Sequence, residues 1–256
     1  MNDWSARQYL RFEAERTRPA FDLLNGVPDG ARRSIADLGC GPGNSTRLLA
    51  ERFPTSEIVG LDTSADMLAA ARASLPSARF IQASVATWRP GAPVDLIFAN
   101  AVLQWVPNHL VVMTDLVRRL APAGCLAAQM PDNLDEPSHV LMRDVAGRPA
   151  FREKLANAAA QREEIGSYAA YFDALAPLCE TVDIWRTTYV HRLSGPGAIV
   201  EWVKATGLRP FLAPLCADER EEFLAQYDAE IARAYPALAN GEALLPFPRL
   251  FVVAAL

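Results

Sequence analysis

Histidine and cysteine are scarce, with three of the former and four of the latter in 256 residues. Cys40, Cys125, Cys179 and Cys216 form no C-x-x-C pair, and His109, His139 and His191 never fall four apart. That argues against a zinc framework and reads as reduced, buried thiols with no structural metal. Long apolar runs are also missing. The longest, Val94 to Val106, is broken by Asp95, Asn100 and Gln104 and is too short and polar to cross a bilayer. Positive charge is not in excess either: the net charge of -5 argues against a general nucleic-acid surface, although it leaves room for a local basic pocket. The start, Met1-Asn2-Asp3-Trp4, has neither a cationic leader nor an apolar core, so a cytoplasmic protein is expected. There is no internal repeat and no low-complexity tract.

What is present is an alternation of short apolar runs with amphipathic stretches, the pattern of parallel strands joined by crossover helices. It predicts strands at Ser34–Leu38, Glu57–Leu61, Ala78–Gln82, Val94–Phe98 and Cys125–Met130, with helices at Ser45–Phe53, Ala65–Ser74 and Pro107–Leu120. Pro54 and Pro76 end the first two helices, and Ala121 to Gly124 makes a turn. After Pro131 the rhythm breaks. A mixed, helical stretch leads to a helix at Tyr168–Leu178 and a long strand at Thr181–Arg192; helices then fill Pro196–Ala239 before a last apolar strand at Arg249–Ala254. The reading is one α/β domain over 1–256, with a cofactor-binding core at 30–130. Insertions at 131–165 and 193–245 build a lid over the carboxyl ends of the strands.

Asp37-Leu38-Gly39-Cys40-Gly41-Pro42-Gly43-Asn44 sits where the first strand meets the first helix, so its glycines let the chain turn tightly and approach a ligand. The spacing is G-x-G-x-G. A dinucleotide fingerprint would need glycine where Asn44 stands, which makes a pyrophosphate loop the weaker reading. Asp62, at the end of the second strand, supplies a carboxylate able to accept ribose hydroxyls.

Asp-Leu-Gly-Cys-Gly-Pro-Gly followed by Gly60-Leu61-Asp62 resembles the class I S-adenosylmethionine-dependent methyltransferases over about residues 30–130. The resemblance implies a Rossmann-like seven-stranded sheet with a reversed last hairpin and helices on both faces. It places Gly39, Gly41 and Gly43 under the methionine part of S-adenosylmethionine, with Asn44 beside them. It gives Asp62 and Thr63 to the ribose, Met67, Ser84 and Val85 to the adenine, and Asn100, Ala101 and Trp105 to the methionine end. Ser84 departs from the acidic residue common in the family, so its hydroxyl or the Val85 N–H must read the adenine. Met67 reads equally as plain core. Tyr9 or Arg18, on the N-terminal segment, meets the methionine carboxylate or lies on an ordinary amphipathic helix.

The remainder is similar, nearly end to end, to bacterial trans-aconitate 2-methyltransferases. Glu13-Ala14-Glu15-Arg16-Thr17-Arg18-Pro19-Ala20, Leu103-Gln104-Trp105, Gln129-Met130-Pro131-Asp132-Asn133, Ala205-Thr206-Gly207-Leu208-Arg209-Pro210 and Phe247-Pro248-Arg249-Leu250-Phe251 carry the likeness. It implies methyl ester formation on one carboxylate of trans-aconitate, with S-adenosylhomocysteine as the product of the cofactor. A small anionic substrate fits arginines in the second half of the chain, Arg186, Arg209 and Arg249, together with His191. Arg186 ranks first, as a substrate contact or a structural ion pair; Gln104 and Asn133 join it and Arg209 in the substrate set. A carboxylate acceptor needs no residue acting as acid or base. Three alternatives stay open: a related enzyme acting on another small acid, a nicotinamide-dependent oxidoreductase, and a silent cofactor-binding protein.

Overall fold

Apolar side chains alternating along β4 (Val94–Asn100) dictate a strand covered on both faces: Leu96 and Phe98 point one way, Ile97 and Ala99 the other, and all four are buried. In the computed structural model, which describes residues 13–204 and 206–256, this strand lies at the centre of a seven-stranded sheet. Its companions are β1 (Ser34–Leu38), β2 (Glu57–Asp62), β3 (Arg79–Gln82), β5 (Leu120–Pro131), β6 (Thr181–Leu193) and β7 (Ala243–Ala255). The order is β3-β2-β1-β4-β5-β7-β6, with β7 antiparallel to both neighbours and β1 to β5 joined by parallel pairings.

Helices α1 (Glu13–Gly26) and α2 (Asn44–Arg52) cover one face, where Leu23, Leu24 and Leu49 meet Ile35, Phe98 and Phe251. α3 (Ala65–Ser74) packs beside β2 and β3, with Leu68 and Ala71 against Phe80. α4 (His109–Val117) covers the other face, applying Met113, Leu116 and Val117 to Ile97, Leu126 and Val252. The remaining helices are α5 (Pro137–Ala146), α6 (Arg152–Leu155), α7 (Tyr168–Leu175), α8 (Pro196–Lys204), α9 (Arg209–Leu212) and α10 (Ala217–Ala234). Of these, α7 joins the sheet face and the others build a separate apolar cluster around Trp202, Phe223 and Tyr227, closed by Leu245 and Phe247 of β7. Tyr227 donates from its hydroxyl to the Ser138 carbonyl at 2.7 Å, and the Ser138 N–H donates to the Tyr235 hydroxyl at 3.0 Å, which clamps α5 to the α10 end.

Three sequence expectations need correction. The helix expected over Pro107–Leu120 is shorter, because Asn108 adopts a left-handed conformation (φ 53°) before it and Leu120 already belongs to β5. The expected turn at Ala121 to Gly124 lies inside β5, where the register with β4 shifts and Ala123 has φ 60°. The last strand begins at Ala243 and not at Arg249, despite Pro246 and Pro248. Those prolines face the β5 side beyond the main ladder, where Pro248 gives only its carbonyl to the Asp132 N–H at 2.9 Å, while β6 pairs along the whole of β7.

Phe251 is fully buried in β7 and stacks on Trp185 with ring centroids 4.8 Å apart. Truncation by Phe251→Ala is expected to lower unfolding stability by about 3–5 kcal/mol, read from the urea midpoint.

Candidate active site

The end of β1 turns under itself through Gly39 (φ 66°) and Gly41 (φ 54°), conformations that disfavour side chains. A Cβ on Gly39 would come within 2.4 Å of Val102, so only glycine lets the loop pass beneath the end of β4. Gly41 donates its N–H to Asp62 Oδ2 at 3.0 Å, and Asp62 Oδ1 accepts from the Ser64 N–H at 2.9 Å. One carboxylate at the end of β2 therefore fixes both the glycine loop and the approach to α3. Below the loop, buried Asp37 Oδ2 accepts from Ser45 (2.8 Å) and Thr46 (2.6 Å) at the start of α2, and its Oδ1 has no partner among the described residues. Burial pushes the Asp37 carboxyl up to about 7. These elements border an open pocket lined by Thr17, Gly39, Gly41, Pro42, Asn44 and Asn100.

Asn100 also lines a second, larger cavity, so the two spaces meet at the end of β4. Its other walls include Ala101, Gln104, Trp105, His139, Arg162, Trp202, Phe247 and Arg249. Ala101 is left-handed (φ 56°), held by its N–H to the Gln129 carbonyl at 2.8 Å and by Gln104 Nε2 donating to its own carbonyl at 2.7 Å. Half-buried Arg162 donates to the Pro131 carbonyl (2.6 Å), Asn133 Oδ1 (2.6 Å) and His139 Nε2 (3.2 Å). Burial pulls its pKa down to about 10, which still leaves a cation near neutral pH. His139 is held neutral, its pKa driven well below the usual range by burial and then by the nearby Arg162 and Arg143 charges. Arg249 donates to Gln129 Oε1 at 3.0 Å and lies 4.8 Å over the Phe247 ring. His191 and Trp202 back this wall with ring centroids 4.5 Å apart.

The residues expected from sequence divide clearly. Gly39, Gly41, Asn44 and Asn100 line the first cavity; Asn100, Ala101, Gln104 and Trp105 line the second. Asp62, Thr63, Met67, Ser84 and Val85 gather beyond the ends of β2 and β3, outside both spaces; Met67 and Val85 are buried and Ser84 is exposed. Arg18 is exposed beside Asp22 at 4.0 Å and over Tyr189 at 5.3 Å, lining neither cavity. Tyr9 lies outside the described residues.

In the substrate set, Asn133 is buried behind Arg162 and acts on it. Arg186 is not brought to the cavity: Nε donates to Asp132 Oδ2 at 2.5 Å, Nη2 to the Gly166 carbonyl at 3.0 Å, and the guanidinium sits 4.3 Å over Tyr168. The ion-pair alternative for Arg186 is the one observed. Arg209 begins α9 and lines neither space. Sequence pattern misses Arg162, His139 and Trp202 because their segments carry no strand period that fixes a facing direction.

Seven strands in this order, a reversed β7 and a glycine cradle after β1 define a class I methyltransferase fold. The methyltransferase domain family matches residues 35–124. Among solved structures, the YcgJ protein of Bacillus subtilis superposes with a TM-score of 0.60 at 11% identity, covering 93% of this chain and 97% of that one. The [4+2]-cyclase SpnF gives 0.51 at 16% identity over 93% and 80%, so the shared fold alone does not fix the chemistry. Full-length sequence likeness is far stronger. Trans-aconitate 2-methyltransferase of Methylobacterium nodulans is 60% identical over 99% of this chain and 98% of its own. That of Rhodopseudomonas palustris strain BisB18 is 58% identical over 99% of each. The chain belongs to the trans-aconitate 2-methyltransferase family.

Asp37 makes a test of pH dependence. Its folded pKa lies above the unfolded value, so the folded state holds the extra proton and this group's contribution is lost as pH rises from about 4 to about 7. Asp37→Asn removes that loss. Its stability relative to the parent is expected to climb by up to a few kcal/mol across that window and level off above it, as followed by denaturant unfolding at stepped pH.

Proposed function

We propose that this enzyme transfers the methyl group of S-adenosylmethionine to one carboxylate of trans-aconitate, giving the monomethyl ester. The observation that carries the reading is the junction at Asn100: a glycine-floored cavity opens there onto a second one walled by two cations, the half-buried Arg162 and the buried Arg249.

The residues present suit the cofactor. Gly39 and Gly41 leave a cradle that side chains would fill, Asp62 offers a carboxylate for ribose hydroxyls, and Met67 with Val85 offers an apolar edge for adenine. Asn44 and Asn100 stand at the methionine end. When bound, S-adenosylmethionine supplies an electrophilic methyl on a sulfonium sulfur.

The chain's own task is binding, orientation and exclusion of water. A carboxylic acid is ionised near neutral pH, so the acceptor arrives as a nucleophile and no residue need remove a proton. Gly39, Gly41 and Asp62 would hold the cofactor so that its methyl is offered to the acceptor's carboxylate oxygen, and S-adenosylhomocysteine would leave. The chain's contribution to rate would be to position the acid against that methyl. Segments 131–165 and 193–245 form the lid, which strips water from the carboxylate and strengthens its attraction to the arginines. Gln104 and Trp105 orient the acid beside Asn100, with Asn133 behind Arg162; Arg209 and Arg186 act away from the acid. Among the described residues no helix is long and apolar enough to cross a membrane, in keeping with a cytoplasmic enzyme.

Initial rates with labelled S-adenosylmethionine and trans-aconitate, cis-aconitate, isocitrate and citrate test the reading. Selective labelling of trans-aconitate as an ester, identified by mass, is expected; cofactor binding with transfer to none of the acids overturns it. Gly39→Ala is expected to weaken S-adenosylhomocysteine binding by 10-fold or more, about 1.4 kcal/mol, in calorimetric titration, since its Cβ collides with Val102.

A further inference from the structure

We propose that Arg162 is the residue that selects the acceptor, by holding a carboxylate of the substrate other than the one that reacts. The proposal rests on the carboxyl-methylation reading above and names a specificity determinant within it.

Arg162 is half-buried in the wall of the larger cavity, with its Nε shielded from solvent, yet each of its three hydrogen-bond partners is neutral: a backbone carbonyl, an amide oxygen and an imidazole nitrogen. It makes no ion pair among the described residues, and its Nε–H has no partner. Those contacts orient the guanidinium without neutralising it. His139 is arranged to keep it so: Nε2 accepts from Arg162, which leaves the ring proton on Nδ1, 3.1 Å from the Ser138 hydroxyl. Gly207 seals the pair from the other side, since a Cβ there would come within 2.9 Å of His139 Nε2.

A half-buried cation without a counter-ion loses part of its hydration, and an anion entering the cavity offsets that cost. The nearby carboxylate is already committed, because Asp132 pairs with Arg186. A planar carboxylate therefore has a preorganised partner in Arg162, in the wall of the same cavity that Asn100 lines. An acid lacking the matching carboxylate covers the guanidinium without matching its charge, and is rejected for that reason.

Three diacids each remove one carboxylate of trans-aconitate: itaconate, glutaconate and mesaconate. The experiment compares kcat/KM for trans-aconitate and these three with the parent enzyme, Arg162→Gln and Arg162→Lys. The parent is expected to lose about 10- to 100-fold on the diacid missing the carboxylate that Arg162 binds. Arg162→Gln is expected to lose a similar factor on trans-aconitate and almost nothing further on that one diacid; Arg162→Lys falls between, keeping charge without the planar fork. S-adenosylhomocysteine affinity, measured by calorimetry, is expected to match the parent in both variants and establishes that each is folded. If Arg162→Gln lowers all four substrates by one common factor, or none of them, the proposal is wrong. Should Arg162→Gln fail to fold, the same pattern read in Arg162→Lys decides. A parent enzyme that methylates none of these acids overturns the carboxyl-methylation reading instead, so the two failures are separable.

Discussion

The ends of β1 and β4 meet with no room for a side chain between them, and the site is built on that contact. Val102 stands where a Cβ of Gly39 would be, so the glycine loop is forced under the end of β4 while the chain beyond Asn100 must turn away at once. The turn is made at Ala101 in a left-handed conformation, a costly choice for a residue with a side chain. Two hydrogen bonds hold it there, one through its N–H to the Gln129 carbonyl and one through its carbonyl to Gln104. Asn100 is thereby left as the partition between two cavities, one floored by backbone and the other walled by arginine. Close packing at one point thus sets the distance between donor and acceptor spaces.

The glycine loop was legible in the sequence because its chemistry is local: a strand, three glycines and a helix lie within a dozen residues, and Asp62 ends the next strand. The same holds for most strand positions, where runs of apolar residues need no partner to be recognised. The bounds of β7 were hidden because Pro246 and Pro248 signal a break, and only the geometry of β6 and β5 reveals that their missing N–H groups face a side without a ladder. The substrate wall was hidden for another reason. Arg162 follows an irregular segment and Arg186 stands within β6, most of whose residues around it are partly exposed on both faces, so nothing local says which guanidinium turns inward. Strand alternation favoured Arg186, but its neighbour across the fold is Asp132, and an ion pair took it.

That ion pair nevertheless shapes the cavity. Asp132 and Asn133 are adjacent, one reaching Arg186 and the other Arg162. Were the Asp132 carboxylate unpaired, it would compete with an incoming acid for Arg162, toward which it already contributes attraction. Engaged by Arg186 at 2.5 Å, it is a partly neutralised bystander. This explains how a chain with a net charge of -5 can receive an anion. What the acid meets is the local field of buried groups, where a low dielectric and absent counter-ions make one guanidinium count for more than many exposed carboxylates.

His139 shows the same economy applied to protonation. A histidine in a catalytic cavity invites the role of general base, but its ring is buried against Arg162, and burial together with cationic neighbours holds it neutral. Taking up a proton would place two cations in contact and remove the acceptor that orients Arg162. The reaction does not ask for that proton, since a carboxylate reaches the site ionised. A permanently neutral imidazole is therefore more useful there than a titrating one: it fixes the direction of a guanidinium while leaving that guanidinium's charge for the acid.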